Sequence, residues 1–441
     1  MVLISSTATA LDAVSLDVGT IESSGWKLQG IHITLSDLAD NTQKLTLTIN
    51  KLNLPKPFDD LNLVNIHCSS FTWQNKELLC TQGRAQMRSQ RWQSPAANFS
   101  FHIREQHSSL KLTDLQLADG SLSVDAEERG NQWQIRINAK AVKASVIQKL
   151  LQQPALFELK DGRINFELTA SGSHSLMEGF TLTTRLNGLT AQTKDGRFAT
   201  EALTLNTKLE AQNNKGLWQW QSHSLLNGGA VYIEPLYLEA GGQRIAFDAE
   251  GNWNGMNKRA EIQSVSYQHA SGLALSGSAI VQYDKGVKLE KADLSLHSDD
   301  LQKLSALYLK PFFEQTALEG ITFAGTINAD FSIIQNSLTA LTATVNKFAV
   351  KDTAERIKVE NGAGTIYWSS DETFNRPSTF AWQQLQLYAL PIGASRLLFL
   401  SRASSFKLLE KTHLPFLDGE IAINQLGWLA KKQQEPEVYF A

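Results

Sequence analysis

Apolar residues recur at every second position along nearly the whole chain, and an extended strand is the conformation that gathers such residues on one side. Lys44 to Asn50 alternates strictly, with Leu45, Leu47 and Ile49 on one face and threonines on the other. Leu52 and Leu54 resume the pattern out of phase, which predicts a bulge before Pro55. The same rhythm returns in Phe99, Phe101 and Ile103, then in Leu110/Leu112, Leu122/Val124 and Trp133/Ile135/Ile137, and again in Ile164, Phe166 and Leu168. The connections are too short for crossover helices, so neighbouring strands are expected to run antiparallel. Turns are expected at Gly162, at Asn227 to Gly229 and at Ser276 to Ser278.

Two stretches break the rhythm with the spacing of a helix. Ala144 to Pro154 sets Val146, Ile147, Leu150 and Leu151 on one face. Leu301 to Pro311 does the same with Leu301, Leu304, Ala306, Leu307 and Leu309, and a proline is expected to close each helix. The segments downstream of the two helices also echo one another. Asn187, Arg197 and Glu201 find counterparts in Asn346, Arg356 and Glu360, each 159 positions on. The order of helix, proline, glycine-led strand and Arg/Glu strand is common to both. The expected division is an N-terminal β segment over 1–141, a first helix-plus-β repeat over 142–297 and a second over 298–441. The last residues, Glu437 to Ala441, read as an opening strand, as though the natural chain continued.

The fold class is therefore mainly β: a long antiparallel sheet, curled into an open groove or trough, with a few short inserted helices and an internal repeat. A sheet with one apolar face over hundreds of residues must bury that face in sandwiches, in a closed barrel or in a trough. The phase slips and inserted helices weigh against a membrane barrel. A trough leaves its apolar face partly open, and such a face binds something.

A formal net charge of −3 over 441 residues, with 19% charged residues, provides no field for nucleic acid, and nucleic acid is not expected as a partner. No apolar run approaches the roughly 20 residues of a membrane helix. Ala8-Thr-Ala10 has the small-x-small form of a signal-peptidase site without the basic region or apolar core. It reads as an ordinary start or as a truncated signal peptide. The two cysteines, Cys68 and Cys80, fit one disulfide in an oxidising compartment, the alternative being two buried thiols. With only His67 nearby they do not complete a zinc shell, and neither metal nor cofactor is expected.

No enzymatic signature is found. The nine histidines are scattered, and no HExxH, G-x-S-x-G or P-loop spacing occurs. Asp299-Asp300 sits where a helix N-terminus favours negative charge, and Asp59-Asp60 has no partner acid defined across a cleft.

Three stretches carry a family resemblance: DGRINFELTASG at Asp161 to Gly172, LEGITFAGTINADFS at Leu318 to Ser332 and LPFLDGEIAINQLGW at Leu414 to Trp428. With the helix-then-strand units, they make the chain resemble the AsmA-like group of bacterial envelope proteins, TamB/YdbH-like and closest to the YdbH type. The resemblance implies a periplasmic β-groove in a Gram-negative cell envelope, conducting phospholipid between inner and outer membranes and meeting components of both. Members usually carry an N-terminal membrane anchor and a C-terminal region that this sequence does not show. The groove-lining candidates are Leu45, Leu47, Ile49, Phe99, Phe101, Ile103, Ile164, Phe166 and Leu168. The other reading is a secreted or periplasmic β-sandwich that binds or scaffolds without moving lipid, in which the same residues fill closed cores.

Overall fold

The structure, a computed structural model, describes residues 11–23, 26–40, 42–54, 63–88, 97–117, 119–151, 157–240, 242–270, 272–284, 287–314, 316, 318–429 and 437–440. Ala8 to Ala10, Pro55, Asp59, Asp60 and Pro154 lie outside the described residues. The chain is mainly β and antiparallel, its sheet is not closed, and its helices are short. It divides into two units, Met1–Asn213 and Asn214–Ala441, so that the division falls within the first expected repeat.

The first unit is a serial meander. Twelve strands, from Ala13–Ser23 to Phe198–Asn214, each pair antiparallel with the one before. The helix Ala144–Leu151 is the only described one in this unit, placed between strands Gln132–Lys143 and Phe157–Ser173. The Gln148 side chain fastens it, donating to the Phe157 carbonyl at 3.1 Å and accepting from the Leu159 N–H at 2.6 Å. Those backbone groups lie before the point where the strand begins to pair with Gln132–Lys143, so the side chain supplies partners that the sheet does not.

The second unit begins with Leu217–Ile233, which pairs with both Leu236–Glu239 and Ile245–Asn254. The meander then runs strand by strand to Ile357–Ser369. There it branches: Ile357–Ser369 pairs with Ser378–Trp382, with Gln384–Leu387 and, over two residues, in parallel with Ser395–Arg402. The last described strand, Glu437–Phe440, pairs with Leu426–Leu429.

The 159-residue echo is present in the hydrogen-bond register. Leu186 and Leu189 face Leu205 and Leu203 across a register shift, and Val345 and Phe348 face Gly364 and Gly362 across the same shift. The strands before these carry comparable bulges at Gly162 and Gly325, 163 positions apart. Both glycines have positive φ, +113° and +111°. A Cβ would lie 2.6 Å from Leu189 Cα in one copy and 2.6 Å from the Lys347 carbonyl oxygen in the other. The sheet needs glycine here because the adjacent strand crosses where a side chain would begin.

Several expected turns are strand interior instead. Gly162 lies within Phe157–Ser173, Asn227 to Gly229 within Leu217–Ile233, and Ser276 to Ser278 within Leu273–Gln282. Glycine permits close strand approach as well as reversal, and local sequence does not separate these uses. Pro311 does not close the second helix. The chain runs through Leu301–Leu304, a π-helical turn at Ser305–Leu309 and a last turn at Lys310–Phe313, with proline in its first turn. Proline lacks an N–H, and a wider turn before it accommodates the missing bond. The phase slip at Leu52 lies earlier than Pro55. Gly30, with φ of +62°, lies opposite Asn50 with no shift in register, so the expected bulge is not formed there, and Leu52 joins Ile49 in one apolar cluster.

Candidate functional site: an apolar face across the strands

Residues opposite one another in an antiparallel pair project to the same face, so the register shows which side chains share a surface. In the first unit one row crosses all twelve strands: Val14, Leu35, Leu45, Cys68, Gly83, Phe99, Leu112, Val124, Ile137, Leu168, Leu182 and Leu209. Every member is apolar or glycine. At a strand spacing of about 4.8 Å the row follows the sheet for roughly 50 Å. The neighbouring row is also apolar, running from Phe71 through Cys80, Phe101, Leu110, Ala126, Ile135 and Ala170 to Phe180.

All nine lining candidates named from the alternation thus belong to one face. Ile49 and Phe99 are buried, Ile103 is exposed, and Leu45, Leu47, Phe101, Ile164, Phe166 and Leu168 are half-buried. Half-burial of aligned leucines and phenylalanines marks a surface covered along its floor and open above it. The opposite, polar face carries cross-strand hydrogen bonds instead, among them His32 with Asp17 at 2.6 Å in the first unit and His223 with Asp248 at 2.8 Å in the second.

Cys68 and Cys80 are joined in a disulfide with Cα atoms 6.1 Å apart. Both are fully buried, and they pack with Phe71, Ala85 and Phe99. The bond therefore forms part of the apolar face. Phe99 stacks on Phe101 at 6.1 Å, and its ring lies over Gly83, where a Cβ would come within 2.3 Å of it.

A corresponding row in the second unit runs through Phe247, Tyr267, Leu275, Leu296, Ala329, Ala343 and Ile366. The helical segment 301–313 lies against this face: Leu301 and Leu304 pack with Leu273, and Tyr308 and Leu309 join Tyr267, Leu296, Phe323 and Ile327. Asp300 caps its first turn, accepting from the Lys303 N–H at 3.1 Å, which holds the Asp300 carboxyl below its ordinary pKa. The Tyr308 hydroxyl hydrogen-bonds the Tyr267 hydroxyl and lies 2.7 Å from His269 Nδ1. Burial pushes both tyrosines up and His269 down, so all three are held neutral in an otherwise apolar contact.

Alternation alone revealed single strands of this surface, Trp133 with Ile135 and Ile137 among them, but not the rows, the Tyr267–Tyr308–His269 knot or the inclusion of Val14 and Trp73. Pairing partners decide those. Among the described residues no group of three or more His, Cys, Asp or Glu is placed to hold a metal, and no helix is long and apolar enough to cross a membrane. No family model, curated protein or solved structure matches the chain.

Proposed function

We propose that this protein binds phospholipid by its acyl chains along the apolar face and transfers it between the inner and outer membranes of a Gram-negative envelope. The unbroken apolar row across twelve strands, buried at Cys68, Gly83 and Phe99 and half-exposed over most of the rest, carries the reading. Each methylene shielded from water contributes about 0.8 kcal/mol, so a two-tailed lipid leaves a bilayer only onto a surface of this kind. Headgroups stay at the wet margin, and the transfer needs no nucleotide. The Cys68–Cys80 disulfide favours an oxidising compartment such as the periplasm, in keeping with the AsmA-like resemblance. A β-sandwich scaffold would have these side chains in closed cores, and the half-exposure of Leu45, Phe101 and Phe166 weighs against it.

Mass spectrometry of organic extracts from protein secreted to the periplasm and purified without detergent tests this. Stoichiometric phospholipid is expected, lost on Phe101→Glu in a protein that remains folded. A lipid-free wild-type protein would overturn the proposal.

A further inference from the structure

The two ends of the first unit's strands differ. Near the helix Ala144–Leu151 the apolar face is closed: Leu115, Ala139 and Val142 are 4%, 1% and 1% exposed. At the opposite end, beside the turns at 75–76, 105–106, 130–131 and 174–175, it is open. Trp73, Ile103, Leu110 and Met177 are 63%, 44%, 45% and 40% exposed there. Register places Trp73, Ile103, Trp133 and Met177 on the same face as the apolar rows.

This open end holds a cavity of about 510 Å³ lined by Phe101, Ile103, Leu110, Ala126, Trp133 and Ile135, with Ser108 and Glu128 as polar groups on the same face. Its size lies within the range of about 300–1,000 Å³ typical of small-ligand sites. Four of its apolar residues, Phe101, Leu110, Ala126 and Ile135, are consecutive members of a row that crosses the sheet. The cavity is therefore continuous with the long apolar face. Trp133 is held in place by two contacts. Its Nε1–H donates to the His174 carbonyl at 3.0 Å, and its ring covers Gly172, where a Cβ would lie 2.6 Å from it. An indole with its polar edge bonded at the turn and its apolar body facing the cavity suits a boundary between water and hydrocarbon.

We infer that this cavity is the lateral loading port for a phospholipid acyl chain. A tail leaving a membrane leaflet passes between Ile103 and Trp133 and reaches the long row through Phe101 and Leu110, while the headgroup stays beside Ser108 and Glu128. The inference rests on the lipid-binding reading above and adds where lipid enters.

The full chain, carrying the photoreactive amino acid p-benzoyl-phenylalanine at Leu110, Leu47 or Lys111, is mixed with vesicles of phosphatidylethanolamine bearing deuterated acyl chains. It is irradiated after increasing intervals, and the lipid adducts are weighed. The expected result is labelling at Leu110 before Leu47, none at Lys111 on the polar face, and loss of Leu47 labelling when Ala126→Trp fills the cavity. The order of labelling stands independently of that variant's folding. Labelling at Leu47 before Leu110, or at Lys111 as strongly as at Leu110, overturns the port while leaving lipid binding intact. Absence of adducts at both Leu47 and Leu110 overturns port and lipid binding together.

Discussion

Asp352 shows how much one side chain can organise. Its carboxylate, buried at the end of strand Ser337–Asp352, accepts from the backbone N–H groups of Ala354 at 3.1 Å and Arg356 at 3.3 Å, and pairs with the Arg356 guanidinium. The guanidinium holds the carboxyl at about 2, below the roughly 3.9 of an unfolded aspartate. A depressed folded value contributes stability above the unfolded pKa and loses it as pH falls through the folded one. Asp352→Asn is therefore expected to lower the urea midpoint at neutral pH, with the gap to wild type closing as pH approaches 2. The bulge glycines provide a second residue-scale test. Gly162→Ala or Gly325→Ala combines a disfavoured φ with a backbone collision and is expected to cost about 1–3 kcal/mol in denaturant unfolding. Gly188→Asn should be nearly neutral, because Lys347 holds the equivalent position in the other copy at a φ of +49°.

Among the elements, the helical segment 301–313 has the most to test. Its apolar residues take part of a face that would otherwise stand half-open, and Tyr308 adds hydrogen bonds to Tyr267 and His269. Tyr308→Phe leaves the packing and removes the hydroxyl. A loss of about 1–2 kcal/mol is expected, with amide exchange rising across 301–313 before it rises in the strands beneath. The strands Leu63–Gln74 and Glu77–Arg88 offer a different test, since the Cys68–Cys80 disulfide spans their hairpin. Replacing both cysteines by alanine is expected to lower stability by about 2–4 kcal/mol in urea, with reductant then having no further effect.

At the scale of the whole molecule, the division into an apolar and a polar face makes charge placement decisive. Phe101→Glu and Ser100→Glu introduce the same charge one residue apart. The first lies in an apolar row; the second lies opposite Lys111 on the polar face. Lipid recovered with the purified protein is expected to fall sharply for Phe101→Glu and to remain at the wild-type level for Ser100→Glu. Equal loss in both would indicate general damage to the sheet.

Alternation in Lys44 to Asn50, Phe99 to Ile103 and Ile164 to Leu168 was enough to determine strands with one apolar side, because a two-residue period admits no other regular backbone. The amphipathic spacing of Ala144 to Pro154 and Leu301 to Pro311 likewise marked the helices, though not where the second ends, and the 159-residue echo foreshadowed matching register shifts. The joining of Val14, Leu35, Leu45 and eight further side chains with Gly83 into one row was decided only by pairing, since a register slip of one residue would send a strand's apolar set to the opposite face. Pairing also turned Gly162 and Gly277 from expected reversals into points of close strand approach, where a Cβ would meet the neighbouring backbone. Which end of the face is closed and which is open depends on atoms distant along the chain. Helix 144–151 stands at one end, and Trp73, Ile103 and Trp133 come together at the other only once intervening strands have folded back.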